Sequence, residues 1–203
     1  MYNQLASQEQ IDKTVTALKT NGIDSYVAKD SADAKAKVIE LIPKGVQIMT
    51  MPSVTLDTLG IAKEINESGN YDSVRARLLK MDRKTQAREM KMLGAAPEYA
   101  IGSVHAVTED GKVVIASATG SQLPAYAYGA DKVLWVVGTQ KIVKDIADAF
   151  KRVQEYVLPL ESERANKAYN ITTGSFVAKE LVINREITPG RITVVFVPEV
   201  IGF

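Results

Sequence analysis

Apolar positions along the chain switch repeatedly between a helical period and a strand period. Ile11, Val15 and Leu18 recur at helical spacing behind Ser7, which predicts a capped helix to about Thr20, ended by Asn21-Gly22. IDSYVA (23–28) reads as a strand. Asp30 or Ser31 then opens a helix with Val38, Leu41 and Ile42 facing inward, and Pro43 stops it. VQIMT (46–50) is a short buried strand, and MPSVTLDTLG turns from it into a helix bearing Leu56, Leu59 and Ile61.

Residues 66–82 show no clear period and read as an irregular connection, followed by a helix over 83–93. YAIGSV and HAVT are strand-like, Glu109-Asp110-Gly111 is a turn, and KVVIA is the second arm of a hairpin over 104–116. KVLWVVG (132–138) is apolar on both faces, as a strand buried within a sheet must be. A long amphipathic helix is expected over 142–156 and a new one from the LPLESER segment. LVINRE and RITVVFV follow as strands around the Pro189-Gly190 turn.

This order predicts one α/β domain over residues 1–203: an open, largely parallel sheet with helices on both faces and a local β-hairpin. The 203 residues are 46% hydrophobic, which is enough for a substantial core.

Charge narrows the partners. With 25 basic and 24 acidic residues and no block of one sign, neither nucleic acid nor an anionic membrane is an expected partner. The absence of cysteine excludes disulfides, thiolate nucleophiles and an iron–sulfur cluster held by this chain. One histidine, His105, leaves no multi-histidine metal site, so no metal is expected. No apolar run approaches the roughly 18–20 residues that span a bilayer, and MYNQLASQEQIDK lacks the features of a signal peptide; a cytoplasmic protein is the expectation.

Three loops where strands hand over to helices are the candidate ligand contacts. In Pro52-Ser53-Val54-Thr55, Ser53 suits a plain helix cap; the alternative is that the loop's N–H groups and Thr55 hold an anion, although Asp57 in the first turn already complements the dipole. In Thr119-Gly120-Ser121, Gly120 would let a ligand approach the backbone while Thr119 and Ser121 offer hydroxyls; a plain turn explains the same residues. The loop has neither the Gly-Lys-Ser/Thr ending of a phosphate loop nor the spacing of a dinucleotide site. In Gly138-Thr139-Gln140-Lys141, a cap at Thr139 puts Lys141 in a helix's first turn, where a cation opposes the macrodipole. That makes Lys141 a candidate anion-binding group, against the alternative of a surface lysine.

Two residues are catalytic candidates. Glu109 has the chemistry of a nucleophile or base but sits in a hairpin turn. His105 has the chemistry of a general acid or base, yet it alternates with apolar neighbours as a half-buried structural histidine does.

Several segments together resemble the LUD-domain family, the lactate-utilisation proteins of LutC/LutB-like type. They are SVTLDTLGI (53–61), AVTEDGKVV (106–114), ATGSQLPAYAYGADKVLWVVGTQKIV (118–143), LPLESERA (158–165) and PGRITVVFVPEVIGF (189–203). The resemblance implies the NagB/RpiA/CoA-transferase-like fold, with a ligand cleft at the strand ends. It places Lys141 and Thr119-Gly120 at motif positions. Many short relatives have Asn in place of His105, Gly-Asn-Arg in place of Gly120-Ser121-Gln122, and a cysteine-rich run where this chain reads NKAYNITTGSFVAKE (166–180).

The function this implies is a cluster-free component or accessory protein of L-lactate, or related hydroxy-acid, oxidation to pyruvate. Its partners would be a small anionic ligand and the iron–sulfur proteins of that system; its own cofactor is left unknown. The alternative is a free-standing enzyme or sensor for a phosphorylated or CoA-linked small molecule. A homodimer is expected only from the general frequency of twofold assemblies.

Overall fold

The computed structural model describes residues 2–203. The first half runs α1 (Gln8–Thr20), β1 (Asp24–Val27), α2 (Ser31–Leu41), β2 (Gln47–Thr50), α3 (Val54–Thr58) and α4 (Ile61–Glu67). It continues through β3 (Asp72–Ser73), α5 (Val74–Leu78), α6 (Ala87–Ala95) and β4 (Tyr99–Gly102). The second half adds β5 (Ala106–Thr108), β6 (Val113–Ser117), β7 (Lys132–Gly138), β8 (Ile142–Val143), α7 (Ile146–Arg152), α8 (Leu158–Tyr169), β9 (Lys179–Ile183) and β10 (Ile192–Val197).

Six strands form an open, wholly parallel sheet in the order β1-β10-β7-β4-β2-β3. Its central strands are apolar on both faces because both are covered. Ile48, Ile101, Leu134, Val136, Val195 and Val197 pack against Ala34 and Val38 of α2, Leu56 of α3, and Ile61 and Ile65 of α4. On the opposite face Met49, Ala100, Val133, Trp135, Val194 and Phe196 meet Ile11 and Leu18 of α1.

The expected α/β architecture with a largely parallel sheet is therefore present, but the hairpin is not merely local. It belongs to a second sheet, β8-β5-β6-β9, in which β5 is antiparallel to β6 and parallel to β8, and β6 is antiparallel to β9. Val107, Val113 and Ile115 of this sheet share the core with α1 and the large sheet. Its other side packs Ala106, Val114, Ala116 and Val143 on Ala149 of α7 and on Val153.

Local rules account for most element ends. Ser7 and Gln10 form a reciprocal capping box at α1. Asp30 caps α2 through the Asp33 N–H. The connection expected to be irregular contains β3 and α5, with Ser73 capping α5.

The predicted helix over 142–156 is corrected at both ends. Residues 139–141 form a single 3-10 turn, and Ile142–Val143 pair with Val107–Thr108 as a strand. The helix begins only at Ile146, where Asp145 caps it, and runs on through a π turn, Val153–Val157, into α8. Pro159 therefore does not start a new helix. It cannot donate a backbone hydrogen bond, and the wider π turn, closed by Leu158 N–H to the Val153 carbonyl, lies directly before it.

Pro124 is followed by one π turn, Ala125–Gly129. A Cβ on Gly129 would collide with the Ala95 carbonyl oxygen at the end of α6, and backbone cannot yield there. Gly129→Ala should therefore cost about 1–3 kcal/mol. Chemical denaturation of the purified variant checks this, and an unchanged midpoint would refute it.

Candidate active site

A cleft of about 450 Å³ opens at the carboxyl ends of the parallel strands, where open α/β sheets receive ligands. Three adjacent strands deliver its floor. Thr55 follows β2, Ser103 directly follows β4, and Lys141 follows β7 on the 3-10 turn. Lys141 Nζ donates to Ser103 Oγ at 3.1 Å and to Thr55 Oγ1 at 3.2 Å.

Lys141 is 1% exposed, so its ammonium form is stripped of water. Burial foremost, and the neighbouring Arg152 guanidinium second, lower its pKa from 10.5 to about 7. Two side-chain carboxylates, Asp57 and Glu161, line the same cleft. Glu161 spends both oxygens on Arg164, each at 2.7 Å, and neither it nor Asp57 reaches ion-pairing distance of Lys141. Among the described residues Lys141 thus has hydroxyl partners and no acid partner.

His105 lines the cleft beside this group. Its Nδ1 accepts the Ala116 N–H at 3.0 Å, which places the ring hydrogen on Nε2. Burial, then the charges of Lys141 and Arg152, lower its pKa to about 3, so it is a neutral donor at physiological pH. Arg152 lies behind it in the core, donating Nη1 to the His105 carbonyl oxygen, with its guanidinium 5.1 Å from the Tyr156 ring centroid.

The other sequence candidates separate into two groups. Ser53 and Thr55 both line the cleft, Ser53 with its Oγ already accepting the Leu56 N–H at 3.4 Å as a cap. Thr119 and Ser121 line it too, their hydroxyls 3.2 Å apart, and Gly120 between them takes φ +84 and donates its N–H to Ser117 Oγ. The structure does not bring Glu109 to the cleft. It accepts from Lys13 at 2.7 Å and Gln10 at 3.0 Å, which ties the hairpin turn to α1 and holds its carboxyl below the ordinary range.

Ser103 and Arg152 were not singled out in the sequence. The only signal for Ser103 was a Gly-Ser pair at the end of an apolar strand, and Arg152 reads as one more cation on an amphipathic helix.

The LUD domain profile matches residues 11–197. The chain belongs to the LUD-domain family. A solved structure similar to this LUD domain is the 1.70 Å crystal structure of a DUF162 family protein from Deinococcus radiodurans. The two superpose with a TM-score of 0.57 at 10% identity, over 96% of this chain and 99% of that one, which is a likeness of fold. No curated protein matches the sequence. No helix among the described residues is long and apolar enough to cross a membrane.

Proposed function

We propose that this LUD domain binds a small carboxylate of the hydroxy-acid or oxo-acid class and serves as a cluster-free component of hydroxy-acid oxidation, L-lactate to pyruvate in the first instance. The observation that carries the reading is Lys141: a buried amine at the floor of a cleft, with no acid partner of its own. When protonated it is a charge awaiting a counter-ion, and a carboxylate supplies one. Neutral His105 and the Thr55 and Ser103 hydroxyls add uncharged donors around the same point. The chain has no cysteine to ligate a cluster, so electrons would have to pass to partner proteins or to a bound cofactor.

The cleft volume favours a second reading. A three-carbon acid fills only about 100 Å³, a few water volumes of about 30 Å³ each. The remaining space, about three times that amount, and the hydroxyl-bearing loop at 117–121 suit a larger molecule that carries the acid, such as a phosphorylated or CoA-linked one.

Thermal-shift titration with L-lactate, pyruvate and an acetyl thioester separates these. A ligand at 100 times its Kd should stabilise wild type by about 2.7 kcal/mol. Lys141→Met should lose the lactate and pyruvate shifts. Equal shifts in the variant would refute Lys141 as the anion contact.

A further inference from the structure

We propose that Ser103 and Lys141 form a nucleophile–base dyad that cleaves an activated acyl compound, an ester or thioester of a small carboxylic acid, with Thr55 holding the lysine in place. This rests on the carboxylate cleft proposed above, because the acid is what such cleavage leaves behind.

An activated hydroxyl needs three things: a base within hydrogen-bond reach, a third group orienting that base, and open space before the nucleophile. Ser103 Oγ and Lys141 Nζ are 3.1 Å apart. Thr55 Oγ1 accepts from the same Nζ at 3.2 Å and lies 3.4 Å from the Ile201 carbonyl oxygen, which anchors it. Ser103 and Lys141 both line the cleft, and Ser103 remains partly exposed there. A carboxylate against Nζ would hold the lysine protonated and useless as a base; here its partners are hydroxyls. Burial supplies the other requirement by favouring the neutral amine near neutral pH. The cleft's spare volume accommodates a leaving group larger than the acid itself.

The chemistry balances within these groups and water. Neutral Lys141 takes the proton of Ser103 as Oγ adds to the acyl carbon, and the carbonyl electrons move to its oxygen. As the tetrahedral species collapses, the bond to the leaving sulfur or oxygen breaks, and the Lys141 ammonium gives its proton to that atom. Water then attacks the acyl-Ser103 ester with Lys141 again accepting the proton. Ser103 leaves as the alcohol, and the acid is released as carboxylate with its proton passing to solvent. The charged and titratable side chains facing the cleft or packed near Lys141 are Arg152 from α7, His105 after β4, Asp57 from α3, the Glu161–Arg164 pair and Tyr169 from α8, and Tyr126 from the π turn after Pro124.

Wild-type protein treated with a fluorophosphonate probe, digested and mapped by mass spectrometry tests the dyad. Label is expected on Ser103, with a rate that rises through about pH 7 as Lys141 loses its proton. It should vanish in Ser103→Ala, which keeps the lysine and the fold, and fall by roughly 100-fold or more in Lys141→Met. p-Nitrophenyl acetate should give a burst matching the protein concentration in wild type alone. Label scattered over other serines, or equal rates in wild type and Lys141→Met, overturns the dyad. If L-lactate still raises the melting temperature in that case, the carboxylate cleft survives; if it does not, both readings fall.

Discussion

At pH 6 the Lys141→Met protein should melt several degrees above wild type. Below about pH 7 the folded wild-type chain carries a buried ammonium with no counter-ion, and methionine fills similar space without that charge. Replacing even a buried ion pair by apolar side chains of similar volume is often neutral or gains about 1–4 kcal/mol, and a lone ammonium has no partner attraction to lose; each kcal/mol moves the melting point of a chain this size by about 2–4 °C. The pH dependence gives the sign. Lys141 titrates near 7 when folded and near its ordinary 10.5 when unfolded, so between those values the unfolded chain holds the extra proton. Wild-type stability therefore rises with pH across that window, whereas the methionine protein lacks this contribution. The gap should be widest at and below pH 7 and close toward pH 10. A lower melting point for Lys141→Met at pH 6 would mean that the Ser103 and Thr55 hydrogen bonds outweigh desolvation, and that the lysine is structural.

The largest loss of stability is expected from Arg152. Its guanidinium is fully buried, donates to the His105 carbonyl oxygen, and stacks near Tyr156 and Tyr2, at 5.1 and 6.0 Å from their ring centroids. Its Nε and Nη2 have no hydrogen-bond partner among the described residues. Arg152→Ala removes the stem as well as the charge, leaving a cavity and an orphaned carbonyl, at a cost of about 3–5 kcal/mol. Arg152→Met keeps most of the volume and should cost less. In either variant the loss of a neighbouring positive charge should move the Lys141 titration upward, because Arg152 is the charge that lowers it. Monitoring the lysine side chain by NMR across pH 6–9 checks this. An unmoved midpoint would show that burial alone sets the Lys141 titration.

How far the sequence reveals the fold depends on the range of the interactions that decide each element. β7 was legible because seven residues apolar on both faces leave few alternatives. α1 was legible from its cap and spacing. The second sheet was not, because β6 finds β9, and β5 finds β8, only through pairings distant in sequence. The same nonlocal pairing draws Ile142–Val143 into a strand and shortens the helix expected there.

The sequence marks Lys141 as a cation opposing a helix dipole, but only a single 3-10 turn starts at Thr139; what sets the residue apart is burial beside two hydroxyls. Sequence carried no trace of that, since Thr55, Ser103 and Lys141 meet only when β2, β4 and β7 lie side by side. Glu109 shows the converse. Its chemistry was plausible from composition, yet Lys13 and Gln10 of α1 engage it on a different part of the surface.

The placing of β10 between β1 and β7 bears on how the molecule is made. Tyr26 sits opposite Val195, and Val195 opposite Val136, so β1 joins the sheet through β10, which is synthesised long after it. Until residues 192–197 have emerged from the ribosome, β1 has no strand neighbour and the apolar inner edge of β7 lies open, both able to pair wrongly. Sheet closure must then wait for β10, which makes slow folding the expected cost of this topology.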